Sequence, residues 1–178
     1  MRFYLFIATV FITSFGFSQT KGLNLTNALI VGQLDKSEDR FTLEIYLTEM
    51  LSSNGINAMP SLNILKEGTS LTTLATDSVK TMLKAKGIDT YVLVSVRGYD
   101  RKFKPATKHG DLMTELASGH LFPLYRDEIS SITFEFKFFR NGEFAGYDLV
   151  KLGGANSREN VMKKFHKKIG KRIYSSWK

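Results

Sequence analysis

Ile132-Thr133-Phe134-Glu135-Phe136-Lys137-Phe138-Phe139-Arg140 and Glu143-Phe144-Ala145-Gly146-Tyr147-Asp148-Leu149-Val150 are two alternating runs separated only by Asn141-Gly142. Both central positions of a two-residue hairpin turn need positive φ, which Asn and Gly tolerate, so an antiparallel hairpin is predicted. Strict pairing outward from the turn sets Phe139 against Phe144, Phe138 against Ala145, Phe136 against Tyr147, Glu135 against Asp148 and Phe134 against Leu149. One face of this hairpin is then a continuous apolar surface for the core, and Phe139, Phe144, Glu135 and Asp148 share the other.

Upstream, Ala28-Leu29-Ile30-Val31-Gly32 is a continuous apolar run, which marks a buried strand rather than a half-exposed one. The period then changes to that of a helix over residues 37–53. Phe41, Leu43, Tyr46, Leu47, Met50 and Leu51 recur at spacings of three and four, Ser37 is placed to cap the start, and Asn54-Gly55 supplies the stop. Ile56-Asn57-Ala58-Met59 is a short second strand ended by Pro60, and a second helix at 76–86 carries Val79, Met82 and Leu83 with Gly87 past its end. Thr90 through Val96 is a third strand rich in β-branched residues. Strand, helix, strand, helix, strand with short joints predicts parallel strands in two βαβ crossovers.

Residues 101–127 read as one long irregular segment, functional or mobile by its length alone. After the hairpin, Asn156-Ser157 caps a last helix to about Ser175 whose Val161, Phe165, Ile169 and Ile173 repeat every four residues and dock it on the sheet. The fold expected is a single α/β domain over residues 19–178, with three parallel strands extended by an antiparallel hairpin and a C-terminal helix packed on the sheet.

The first residues stand outside that fold. Met1-Arg2 is a short basic start, residues 3–17 are nearly all apolar, and Gly16-Phe17-Ser18 has the small-x-small form of a cleavage site, so residues 1–18 are expected to be a signal peptide. The apolar run is about 15 residues, short of the roughly 20 that span a bilayer. The expected location is the periplasm, with secretion as the alternative. The 178 residues include no Cys, which excludes disulfide-stapled, zinc-thiolate and thiol-enzyme classes and the lipid attachment of bacterial lipoproteins. With 43% hydrophobic and 24% charged residues, the composition is that of a globular chain with an ordinary core.

The formal net charge is +8, and much of it gathers at the end: Lys163, Lys164, Lys167, Lys168, Lys171, Arg172 and Lys178, with Tyr174 and Trp177 nearby. A positive stripe with aromatic residues suits anionic groups, although a solvated outer face is the ordinary reading. Lys164, Lys168, Arg172 and Trp177, with Phe139 and Phe144 on the outer hairpin face, are the candidate partner-binding residues. Gln33, Ser61, Arg97, Asp100 and Arg101 lie at the carboxyl ends of the predicted parallel strands and form a candidate polar cleft. His109, Asp111 and His120 in the irregular segment, or Glu135 with Asp148 on the hairpin, are the side chains able to support hydrolytic or metal chemistry. Nucleophile elbows, phosphate-cradling glycine loops and dinucleotide fingerprints are absent from the sequence, and no cofactor is expected.

Arg40-Phe41, Gly55 with Ala58-Met59-Pro60-Ser61, Leu65, and Ala85-Lys86-Gly87-Ile88-Asp89 before an apolar strand resemble the corresponding stretches of uncharacterised bacterial envelope lipoproteins with a TolB amino-terminal-like or CsgG-like α/β module. The resemblance extends more loosely to the hairpin and last helix. It implies an accessory, assembly or scaffold role rather than an enzymatic one, and it offers no catalytic residue to carry over. The chain departs from that group in lacking the lipid-accepting cysteine.

The function expected is a non-enzymatic periplasmic binding or assembly accessory protein, recognising an envelope protein or an anionic envelope component. Export argues against nucleic acid as partner, and peripheral membrane association without a lipid anchor stays open, as does the oligomeric state. The alternatives are a hydrolase or metal-dependent enzyme using residues 101–127, and an anionic-ligand-binding protein using the basic C-terminal helix.

Overall fold

A computed structural model describes residues 22–66, 68–118 and 121–178; the expected signal peptide and His120 lie outside the described residues. The apolar run at 28–32 forms β1 (Asn27–Gln33), and the amphipathic segment after it forms α1 (Ser37–Ser53). β2 (Asn57–Pro60), α2 (Asp77–Ala85), β3 (Thr90–Tyr99), α3 (Leu112–Ala117), β4 (Ser131–Arg140), β5 (Glu143–Gly153) and α4 (Arg158–Arg172) follow in that order. The strands form one sheet in the order β2-β1-β3-β4-β5. β1 pairs parallel to β2 and β3, whereas β4 is antiparallel to β3 and β5. This is the expected α/β class, with both crossovers and the hairpin present.

Both faces of the sheet are covered, which is why β1 and β3 read as unbroken apolar runs. On the first face, Ala28, Ile30, Val92, Val94, Phe134, Phe136 and Phe138 pack under α1 and α4. On the second, Leu29, Val31, Tyr91, Leu93 and Phe139 pack under α2, α3 and a short 3-10 turn at Leu71–Ala75. The stripe Val161, Phe165, Ile169 and Ile173 is fully buried against the first face, and Ser157 caps α4 by accepting from the Asn160 N–H.

The hairpin turn is as expected, with Asn141 at φ +52 and Gly142 at φ +87. The register is not. Phe139 faces Phe144, but Phe138 faces Gly146, so Ala145 is a bulged extra residue. Beyond it every side chain of β5 changes face relative to strict alternation: Phe136 opposes Asp148, Glu135 opposes Leu149, and Phe134 opposes Val150. Glu135 and Asp148 are therefore not neighbours on one face. The reason lies further along the strand, where Val150 and Leu152 are buried under α4. Without the bulge, Lys151 would point into that core, and an unpaired buried ammonium costs far more than one unpaired loop residue.

Local differences on α1 have similar causes. Ser37 is the first helical residue and Lys36 takes the cap position without a side-chain bond, so Ser37 is not the cap. Phe41 points to solvent at 57% exposure, while Asp39 and Glu44 are buried. Each buried carboxylate has a partner that the helical period cannot reveal. Arg158 on α4 donates to Asp39 at 2.8 Å. Glu44 accepts from the Gly32 N–H at 2.8 Å, Arg40 Nε at 2.9 Å and Ser61 Oγ at 2.8 Å.

The 101–127 segment is less irregular than expected. Asp111 accepts from the Thr114 N–H and opens α3, a single short helix that packs on the second face. At the register shift near the end of β3, Gly98 sits at φ +150 with the Phe103 ring against it: an added Cβ would lie 2.6 Å from the ring's Cζ.

Candidate functional site

β5 is the outer strand of the sheet, and α4, packed on the first face, sends lysines out to its backbone. The Lys164 ammonium donates to the Gly153 and Gly154 carbonyls at 2.7 and 2.8 Å, and that of Lys168 to the Lys151 carbonyl at 2.5 Å. One turn forward along α4 thus moves two residues back along β5. These carbonyls point away from β4, which is what an unpaired strand edge presents. Between strand and helix lies a groove of about 620 Å³, lined by Leu149, Lys151 and Gly153 on one wall and Lys164, Lys167, Lys168, Lys171 and Arg172 on the other. Among the described residues no carboxylate lines it. Its positive charge is therefore left for solvent or a ligand, apart from that of Arg172, whose Nε lies 3.5 Å from Asp148.

Of the candidate partner-binding residues, Lys164, Lys168 and Arg172 line this groove together. Trp177 does not join them. It is fully buried, meets Phe136 tilted at 4.9 Å and Phe138 edge-to-face at 5.3 Å, and donates its indole N–H to Asp148 at 3.1 Å. A π-helical turn at Ile173–Trp177 draws the chain inward after α4, so the sole tryptophan serves the core rather than a surface. Phe139 is likewise fully buried, because α2, α3 and their connections cover the second face. Phe144 is 38% exposed, with the His109 ring stacked on it at 3.9 Å.

The candidate cleft is not assembled. Gln33 is buried and donates to the Glu115 carbonyl at 2.7 Å, and Leu34 bridges to Phe122, so the chain's own segment after β3 fills the space beyond β1. Ser61 is fully buried on Glu44. Asp100, at φ +51, accepts from the N–H groups of Ser130 and Ser131 at 2.9 and 2.7 Å. Those hydrogen bonds, with the Ser130 hydroxyl first, hold its carboxyl below the usual range. Arg97 leans toward Glu135 at 3.9 Å, and Arg101 is exposed with its carbonyl 3.4 Å from Lys151 Nζ. Gln33, Ser61, Arg97 and Asp100 are each taken up by partners within the fold, and Arg101 stands in solvent. Among the described residues no one cavity gathers them.

The second face also holds an ionic cluster that residue spacing hides. Tyr147 donates its hydroxyl to Glu135 at 2.8 Å, and Lys137 lies 2.6 Å from Glu115 and 3.4 Å from Glu135. The bulge at Ala145 is what turns Tyr147 onto this face. Burial, then the Glu135 charge, raises the Tyr147 hydroxyl well above its ordinary value. His109 packs beside Tyr147 at 5.2 Å with neither ring nitrogen hydrogen-bonded. Burial first, then Lys137, lowers its pKa. Asp111 is occupied as the α3 cap, and Asp148 lies on the face opposite Glu135, so the Glu135–Asp148 pair open to the sequence is not formed. Among the described residues no three His, Asp or Glu side chains gather as a metal-holding group. A second hollow, of about 560 Å³, lies at the start of α1 among Asp35, Glu38, Arg40, Phe41 and Lys66, and mixes both signs of charge.

No family model and no curated sequence matches the chain. Among solved structures, the lipoprotein GNA1162 from Neisseria meningitidis is similar at 11% identity and TM-score 0.41, over 86% of this chain and 99% of that one. The PelC dodecamer from Paraburkholderia phytofirmans is similar at 11% identity and TM-score 0.46, over 87% of this chain and 91% of its own. Neither bears the name of a TolB-like or CsgG-like protein.

Proposed function

We propose that this protein is a non-enzymatic binding or assembly accessory of the bacterial cell envelope, and that it meets an anionic partner in the groove between β5 and α4. The observation that carries the reading is the groove itself: four lysines of α4 face an edge strand with no carboxylate lining the groove among the described residues, and Arg172, shared with Asp148, stands beside them. Like charges gathered this closely are repulsive until an anion arrives, so their convergence lowers the stability of the free protein and raises its affinity for negative charge. The export signal expected at residues 1–18 sets such binding outside the cytoplasm.

The test uses heparin as a generic polyanion. Retention on immobilised heparin should fall steeply with salt and should be lost in Lys164→Glu/Lys168→Glu, while Lys80→Glu/Lys84→Glu on α2 leaves it largely intact. Equal retention of the two variants would refute the assignment of the groove.

A further inference from the structure

We propose that the free edge of β5 accepts an acidic peptide in extended conformation as a sixth strand, with carboxylates at alternate positions paired to Lys164, Lys168 and Arg172. The inference rests on the groove being the binding surface, and it adds the partner's backbone and spacing.

Three observations support it. The carbonyls of Lys151 and Gly153 face outward and bond only to lysine ammoniums, and in an antiparallel strand the N–H groups of the same residues face the same way. A row of backbone donors and acceptors is thus available to a strand laid beside it. The spacing also matches. Lys164, Lys168 and Arg172 follow at four-residue intervals, about 6 Å apart along a helix, and same-face residues of a strand recur about every 6.8 Å. The helix already follows the β5 backbone in this step from Gly153 to Lys151, and one turn further on Arg172 reaches the Asp148 side chain. An added strand with carboxylates at i, i+2 and i+4 would meet the same cations. Finally, charge selects among occupants. A second copy of a chain with net charge +8 would set like charges against the lysines, and a planar anionic membrane cannot reach backbone groups inside a groove.

In the free protein the two lysines shield the edge from self-pairing, a known use of lysine on edge strands. Their flexible stems allow them to exchange backbone carbonyls for carboxylates, which are the stronger acceptors.

The experiment measures fluorescence anisotropy of short labelled peptides on the full mature chain. One peptide alternates Glu with Thr or Val. A second has the same composition with its glutamates consecutive. A third is the alternating peptide N-methylated at the amides that would face β5. The alternating peptide should bind about tenfold or more tighter than the consecutive one. N-methylation should abolish binding, and so should Lys164→Glu/Lys168→Glu. Lys164→Gln/Lys168→Gln, which adds no repulsion, should weaken it. Equal binding of all three peptides, or tighter binding to phosphatidylglycerol vesicles than to the alternating peptide, would overturn strand addition while leaving the groove an anion site. A wild-type chain that bound neither heparin nor any of the peptides would overturn both.

Discussion

Replacing Trp177 with phenylalanine separates a core role from a recognition role at one position. The substitution keeps an aromatic ring against Phe136 and Phe138 but deletes the indole N–H that Asp148 accepts at 3.1 Å in a buried setting. A hydrogen bond to a charged group contributes about 1.5–3 kcal/mol, and the vacated ring volume adds a cavity cost, so the expected loss is about 2–4 kcal/mol. For a chain of this size, each kcal/mol lowers Tm by about 2–4 °C, so Trp177→Phe should unfold roughly 5–15 °C lower in thermal melts followed by circular dichroism. Asp148→Asn should couple to it, because both changes act on one bond, giving a non-additive double variant. Binding to heparin should persist in the folded variant. Trp177 is also the sole tryptophan, so its fluorescence should be blue-shifted and poorly quenched by acrylamide. Ready quenching, or an unchanged Tm together with lost heparin binding, would refute the core assignment and return Trp177 to the surface.

Glu44→Leu should cost about 3–5 kcal/mol in urea unfolding, because it leaves the Arg40 guanidinium, the Ser61 hydroxyl and the Gly32 N–H without their acceptor. A loss below about 1 kcal/mol would show that the carboxylate does not organise the β1–α1 junction. His109 is held below its ordinary pKa in the folded state, so the unfolded chain takes up its proton first: stability is complete above about pH 6.5 and falls as pH drops from there toward the folded value. Glu115, Glu135, Lys137 and Tyr147 face the same ring, so the measurement is the difference between the wild type and His109→Phe, which keeps the stack on Phe144; parallel stability curves from pH 7.5 to about 5 would reject the effect. Gly98→Ala should destabilise by about 1–3 kcal/mol, from strain at φ +150 and from the Phe103 ring, and Gly98→Ala/Phe103→Ala should recover only the steric part. Full recovery in the double variant would show that backbone strain is absent.

The limits of the sequence reading are clearest in β5. Asn141-Gly142 specified the turn because both residues tolerate positive φ, a property of the dipeptide itself. The bulge at Ala145 carries no such signature. Its signal was indirect: extending strict alternation past Val150 puts Lys151 on the core side, a conflict hidden by ending the strand there. In the same way, the i, i+4 stripe of α4 identified its buried face and left its lysines outside. Lys164, Lys168 and Arg172 were legible as a cationic stripe, but not that they follow an unpaired edge. That the carboxylates Asp39, Glu44 and Glu135 are buried is not legible in the local pattern, because their partners Arg158, Ser61 and Tyr147 are remote in sequence.

Periodicity, turn dipeptides and helix stops act over a few residues, and they were enough to determine the elements, their order and the α/β class. Which side of β5 faces α4, where Trp177 goes and which carboxylates are buried were decided only when distant segments met. Side chains alternate with a period of two along a strand, so one inserted residue exchanges the two faces, and the energy that chooses between them comes from the opposing helix rather than from the strand's own sequence.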